Sequence, residues 1–156
     1  MNLESRNLES QIWIWTKEGS FSSDMGTVHK LIEEVIGAVR AEHWTDRDMF
    51  ALELTLEETL TNAVKHGNHS DPGKQVRFSF KLCSDKICVR IEDEGEGFDP
   101  YALADPREPE NQMIPSGRGV LLIKHFATSV QWNEQGNIVE FEKFRTSSER
   151  PETVSR

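Results

Sequence analysis

The chain has 156 residues, 36% hydrophobic and 29% charged, the balance of one soluble domain with a single core rather than of a disordered chain. Its formal net charge of −9 argues against non-specific binding to DNA or to an anionic membrane, because both surfaces would repel it. No stretch reaches the roughly 20 apolar residues that span a bilayer, and MNLESRNLESQIWIW carries acids and no small-residue cleavage site. Neither an anchor nor a signal peptide is therefore expected, and the cytoplasm is the default location.

Residues 1–10 read as an N-terminal extension. QIWIWTK (11–17) sets Ile12 and Ile14 against Trp13 and Trp15, which predicts a strand apolar on both sides. Ser22, Ser23 and Asp24 then offer N-cap oxygens, and Met25, Val28, Leu31, Ile32, Val35, Ile36 and Val39 follow at helical spacing to about Arg40. Thr45 and Asp46 open a second helix, expected from about Arg47 to His66 and stopped by Gly67. After the turn Asp71-Pro72-Gly73, the alternation of Val76, Phe78, Phe80 and Leu82, then of Ile87, Val89 and Ile91, predicts an antiparallel hairpin with one buried face.

From Asp93 the character changes. DEGEGFDP is rich in glycine and acid, and residues 99–116 are proline-rich without a period, a loop length that is usually functional. Helical spacing resumes from Gly119 to Ala127. Val130 with Trp132, then Val139 with Phe141, predict a last hairpin around Gln135-Gly136-Asn137. Residues 145–156 are polar, lack apolar anchors and read as a disordered tail. The order β-α-α-β-β-loop-α-β-β predicts an α+β two-layer sandwich, a mostly antiparallel sheet covered on one face by helices. Cys83 and Cys88 lie in adjacent strands whose register the alternation leaves open, and a disulfide with it; in a cytosolic chain thiols are the expectation.

Three segments carry chemistry. In the second helix Leu52, Leu56, Leu60, Ala63 and Val64 share one arc at about 100° per residue, while Glu58, Asn62 and His66 form a polar stripe beside it. Glu57, Thr61 and Lys65 lie farther round and read as solvated surface. A carboxylate and an amide oxygen one turn apart can hold a hard divalent cation or an attacking hydroxyl, and an asparagine inside a helix is otherwise a poor choice. His66 reads as a helix-end residue rather than a catalytic base. Downstream, Asp93 leaves a buried strand where a carboxylate can accept from an exocyclic amine, and Gly95 and Gly97 let backbone approach a flat ring; a solvated acidic turn is the plain alternative. Finally, Ser116-Gly117-Arg118-Gly119 precedes the last helix, where free amides and a guanidinium suit a phosphate. Neither glycine segment fits the P-loop or the Rossmann fingerprint.

Together these segments resemble the GHKL, or Bergerat-fold, ATP-binding family. The N-box is similar to Glu58, Asn62, Ala63, His66 and Gly67; the D-x-G-x-G box to Asp93, Gly95 and Gly97; the second glycine box to Gly117 and Gly119. The resemblance runs over roughly residues 12–144, giving an ATP-binding domain over 11–144 with residues 99–116 as its lid. Small size and the phrase EETLTNAVKHGN look most like the bacterial anti-sigma serine-protein kinases of the RsbW and SpoIIAB type. That likeness implies ATP or ADP with Mg²⁺ as cofactors, a sigma factor and an anti-anti-sigma (STAS) protein as partners, no direct nucleic acid, and commonly a homodimer. It further implies Glu58 as general base, Asn62 on Mg²⁺, Asp93 on the adenine amine, and Gly95, Gly97, Gly117 and Gly119 shaping the pocket and lid; Ser116 and Arg118 join the phosphate side, and His66 lies near the nucleotide without a role. One departure bears on phosphate charge: Ile114-Pro115 stands where relatives often carry a basic residue. The alternative to a kinase is a nucleotide-dependent protein-binding switch with little or no phosphate transfer. A detached histidine-kinase domain or a gyrase-like ATPase would need further domains.

Overall fold

The computed structural model describes residues 12–97 and 117–146. The N-terminal extension, the 99–116 lid with Ser116, and the tail beyond 146 lie outside the described residues. Strands β1 (Trp15–Ser22), β2 (Gln75–Leu82), β3 (Lys86–Glu92), β4 (Ser129–Trp132) and β5 (Ile138–Phe144) form one sheet in the order β1-β2-β3-β5-β4, every pairing antiparallel. Helices α1 (Met25–Ala41), α2 (Asp46–Thr61) and α3 (Gly117–Phe126) complete the expected α+β arrangement.

The first strand begins later than its isoleucines suggest. Trp15 pairs with Leu82, the last residue of β2, so residues 12–14 run past the end of their partner and keep a single ladder bond, Ile14 N–H to Leu82 O at 2.7 Å. Ile12 is accordingly 81% exposed. On the inward side of β1 Lys17 takes a position where an apolar residue would be expected, and its ammonium reaches Glu34 of α1 at 3.1 Å.

The core follows the periodicities. Val76, Phe78, Phe80 and Leu82 of β2, Ile87, Val89 and Ile91 of β3, and Val139 and Phe141 of β5 all face the helices. Against them pack Val28, Leu31, Ile32, Val35, Ile36 and Val39 of α1 and Leu52, Leu56 and Leu60 of α2. Each of those α2 leucines is completely buried, so truncating one to alanine costs about 2–5 kcal/mol. Asp24 caps α1 by accepting from Thr27 N–H at 3.0 Å, and Thr45 caps α2 by accepting from Asp48 N–H at 3.1 Å. Cys83 and Cys88 are free thiols, and burial pushes Cys88 up to about 11, followed by the neighbouring Glu142 charge.

The expected single helix to His66 is two structures. After Thr61 the chain widens into a π-helical turn, Asn62–Gly67. Asn68 N–H reaches back five residues to Ala63 O at 2.9 Å rather than four. The extra residue in the turn is what the 3.6-residue pattern could not show, and such widenings concentrate at functional sites.

Candidate nucleotide-binding site

At the end of β3 the backbone of Asp93 is pinned by the β4–β5 loop: its N–H donates to Asn137 O at 2.9 Å, and its carbonyl accepts from Asn137 Nδ2 at 3.1 Å. Asn133 builds that loop, its Oδ1 accepting from the backbone amides of Gly136, Asn137 and Ile138 at 2.9–3.0 Å. The carboxylate of Asp93 is turned by Gly95 N–H, which donates to Oδ1 at 2.8 Å. Burial is the main reason its pKa rises to about 6; Glu92 adds to the rise, whereas the Gly95 amide and Lys74 oppose it.

The π-turn delivers the end of the N-box onto this carboxylate. Gly67 lies so close that a Cβ there would overlap the Asp93 carboxyl carbon, and a Cβ on Gly95 would overlap the carbonyl of Gly67. Gly97, at φ +89°, presses on the carbonyl of Gln135. Gly95 and Gly97 thus abut backbone carbonyls and Gly67 the Asp93 carboxylate, which is why no larger residue fits.

The other end of the stripe meets the second glycine box. A Cβ on Gly119 would stand 2.8 Å from Glu58 Oε1 and 3.3 Å from Asn62 Nδ2. The first turn of α3 therefore lies directly on the two residues expected to act together. Glu58 is half-buried; desolvation, and then the charge of Glu57, raise its pKa. Gly117 and Arg118 open α3. Glu57 and Lys65 are exposed, as expected of surface positions, while Thr61 is half-buried.

Between the two contact points opens a cleft of about 550 Å³ including its mouth. Ala63, Ile91, Ile123, Trp132 and Val139 supply apolar walls; Asn62, His66, Asp93 and Asn137 supply polar groups. A mostly apolar concavity with a few placed polar groups suits a flat heteroaromatic ligand. Burial, then Lys65 and His69, lower the pKa of His66, so its imidazole is neutral at the cleft rim near pH 7. Among the described residues no cluster of three or more His, Cys, Asp or Glu could hold a metal ion. Asn62 and Glu58 instead offer one or two hard oxygens, the donor set with which Mg²⁺ is held when phosphate oxygens and waters complete its shell.

The histidine kinase-like ATPase domain matches residues 21–143, the larger part of the chain. The chain belongs to the histidine kinase-like ATPase family. It is similar to the serine-protein kinase RsbW of Oceanobacillus iheyensis, 29% identical over 94 residues that make up 56% of this chain and 60% of that protein. It is likewise similar to an anti-sigma F factor of Clostridium perfringens, 28% identical over 97 residues, 60% of this chain and 68% of that one. The serine-protein kinase RsbW of Bacillus subtilis is 28% identical over 103 residues, covering 60% of this chain and 62% of its own length. The matched stretch thus spans about three fifths of the length of the two RsbW proteins.

In this histidine kinase-like ATPase the sequence pattern brings out Glu58, Asn62, Asp93 and the glycines but not Asn68, Asn133 and Asn137, which hold Asp93 and the loop beside it. Their one signal is position: Asn68 and Asn137 each follow a glycine, and Asn133 follows the last residue of β4.

Proposed function

We propose that this chain is an ATP-binding anti-sigma factor and Mg-ATP-dependent protein serine/threonine kinase, which phosphorylates a serine of an anti-anti-sigma (STAS) partner and sequesters a sigma factor in the cytoplasm. The observation that carries the reading is the meeting of three separate segments, Gly119 against Glu58 and Asn62, and Gly67 against Asp93 and Gly95, with Asn62, Gly67, Asp93 and Gly97 lining the cleft between them. The names of the relatives supply the two activities, serine kinase and anti-sigma factor.

Mg-ATP would supply the phosphoryl group and the cation that offsets its charge during transfer. Asp93 would accept a hydrogen bond from an exocyclic amine on the ring, with Gly95 turning that carboxylate and Gly97 lining the cleft around the ring. The amide oxygen of Asn62 would hold the metal. Gly117 and Gly119 would leave the α3 amides open toward phosphate, and Ser116 and Arg118, their neighbours in sequence, would join that side. Glu58 takes the proton from the partner's serine hydroxyl, a task helped by burial that raises its basicity.

The test is incubation of the chain with γ-labelled ATP, Mg²⁺ and a STAS protein. Label on a serine of that partner is the expected result. Tight ATP or ADP binding without transfer would select the nucleotide-dependent switch, and absence of nucleotide binding would overturn both.

A further inference from the structure

Asn68 is completely buried and does not line the cleft, yet both N–H donors and the oxygen of its amide are used across the chain. Its Nδ2 donates to Ser23 Oγ at 3.1 Å, just beyond β1, and to Gln75 O at 3.0 Å, at the start of β2. Its Oδ1 accepts from Glu94 N–H at 2.8 Å. The orientation of the amide is forced: the Ser23 hydroxyl already donates to Lys74 O at 3.0 Å and Gln75 offers only a carbonyl, so both must face the NH₂.

The peptide held by Asn68 Oδ1 is the one that joins Asp93 to Glu94. Asn137 grips Asp93 from its other flank, so the residue is fixed on both sides before Gly95 orients its carboxylate. The π-turn sets this up, because the five-residue reach of Asn68 N–H to Ala63 O is what turns the side chain inward beneath the loop.

We infer that Asn68 is a positioning residue for base recognition, acting through the Asp93–Glu94 peptide to aim the Asp93 carboxylate at an exocyclic amine of the ligand. The inference rests on the nucleotide reading proposed above. It separates Asn68 from a residue that only stabilises the fold, because loss of aim affects a ligand bearing the amine and spares one that lacks it.

The experiment measures equilibrium binding of ATP and of inosine triphosphate, which carries an oxo group where adenine has its amine, to the full chain, to Asn68→Ala and to Asp48→Asn. The last is a destabilised control at the opposite end of α2. A hydrogen bond to a charged carboxylate gives wild type a preference for ATP of about tenfold or more. In Asn68→Ala that preference falls by about tenfold, with affinity for the inosine nucleotide within about twofold of wild type, while Asp48→Asn keeps it. Amide hydrogen exchange of the nucleotide-free wild-type chain provides the second readout: the Glu94 amide is protected. An Asn68→Ala chain that keeps the preference, or a wild-type Glu94 amide that exchanges freely, overturns the inference alone. A wild-type chain that does not discriminate the two nucleotides overturns the base-recognition reading, and this inference with it.

Discussion

Asp93 is asked to be charged in a place that penalises charge. Burial lifts its pKa to about 6 from the ordinary 3.8, with Glu92 pushing the same way and Gly95 N–H and Lys74 restraining the rise. An acid whose folded-state pKa exceeds its unfolded one holds its proton more tightly in the fold. Its stabilising contribution is therefore present at low pH and is lost as pH rises from about 4 to about 6. Asp93→Asn should then raise the melting temperature at pH 7.5 by roughly 2–4 °C, by calorimetry, while abolishing the preference for adenine. The ionised carboxylate is the stronger acceptor for an amine, so ATP affinity should weaken as pH drops through about 6. Comparison with Asp93→Asn cancels the nucleotide's own titration. Glu58 and Asn62 divide differently. Glu58→Gln should leave ATP affinity within about twofold and cut phosphate transfer by about 10²–10⁴-fold, because a neutral amide cannot take the serine proton. Asn62→Ala should lose Mg-ATP binding with the circular dichroism spectrum unchanged, since it lies off the apolar arc; unchanged ATP affinity would refute its metal role.

At the scale of elements, two glycines that look alike in sequence call for opposite expectations. Gly119 sits in the first turn of α3, where alanine would gain about 1 kcal/mol of helix propensity. Its new methyl would meet the ends of two side chains, Glu58 Oε1 at 2.8 Å and Asn62 Nδ2 at 3.3 Å, of which the closer can swing aside. Gly119→Ala should therefore keep or slightly raise stability yet lower phosphate transfer by about tenfold or more, because it displaces the group proposed as the base. Gly97 combines φ +89° with a backbone carbonyl in the way, so Gly97→Ala should cost about 1–3 kcal/mol in urea denaturation. Periodicity reveals elements more readily than their ends. The α2 leucines, the β2–β3 alternation and the β4–β5 hairpin are all legible because each apolar set faces one core. The start of β1 is not, since it depends on where its partner strand runs out at Leu82. Nor is the π-turn, because one extra residue leaves Ala63 and Val64 buried as an α-helix would.

For the whole molecule, what the sequence could not show is which distant segments touch. The N-box and the two glycine boxes are legible as motifs, and the fold brings them together because the β4–β5 loop pins Asp93 beside Gly67 while the first turn of α3 rests on Glu58 and Asn62. The asparagine clamps escaped notice because a buried amide and a turn amide are the same letter. At the other end, residues from 145 on lack apolar anchors, but Arg145 and Thr146 are held by polar ones. Thr146 donates from its backbone N–H and its hydroxyl to Asp48 Oδ2 at 2.7 and 2.9 Å, and Lys143 Nζ stands 3.8 Å from Oδ1. Arg145 donates to His43 O at 2.9 Å with its guanidinium 5.8 Å from the Trp44 ring centre. Asp48 is only 2% exposed, so its charge depends on these donors. Asp48→Asn, which weakens bonds to a charged acceptor, should cost about 1–3 kcal/mol. Ending the chain at Phe144 should cost a similar amount, because it strands the carboxylate with Lys143 alone. The two changes share one interaction, so the double variant should be more stable than the sum of the single losses predicts, by about 1–3 kcal/mol in urea midpoints at constant slope. Strict additivity would mean that Thr146 rests on Asp48 without stabilising the fold through it.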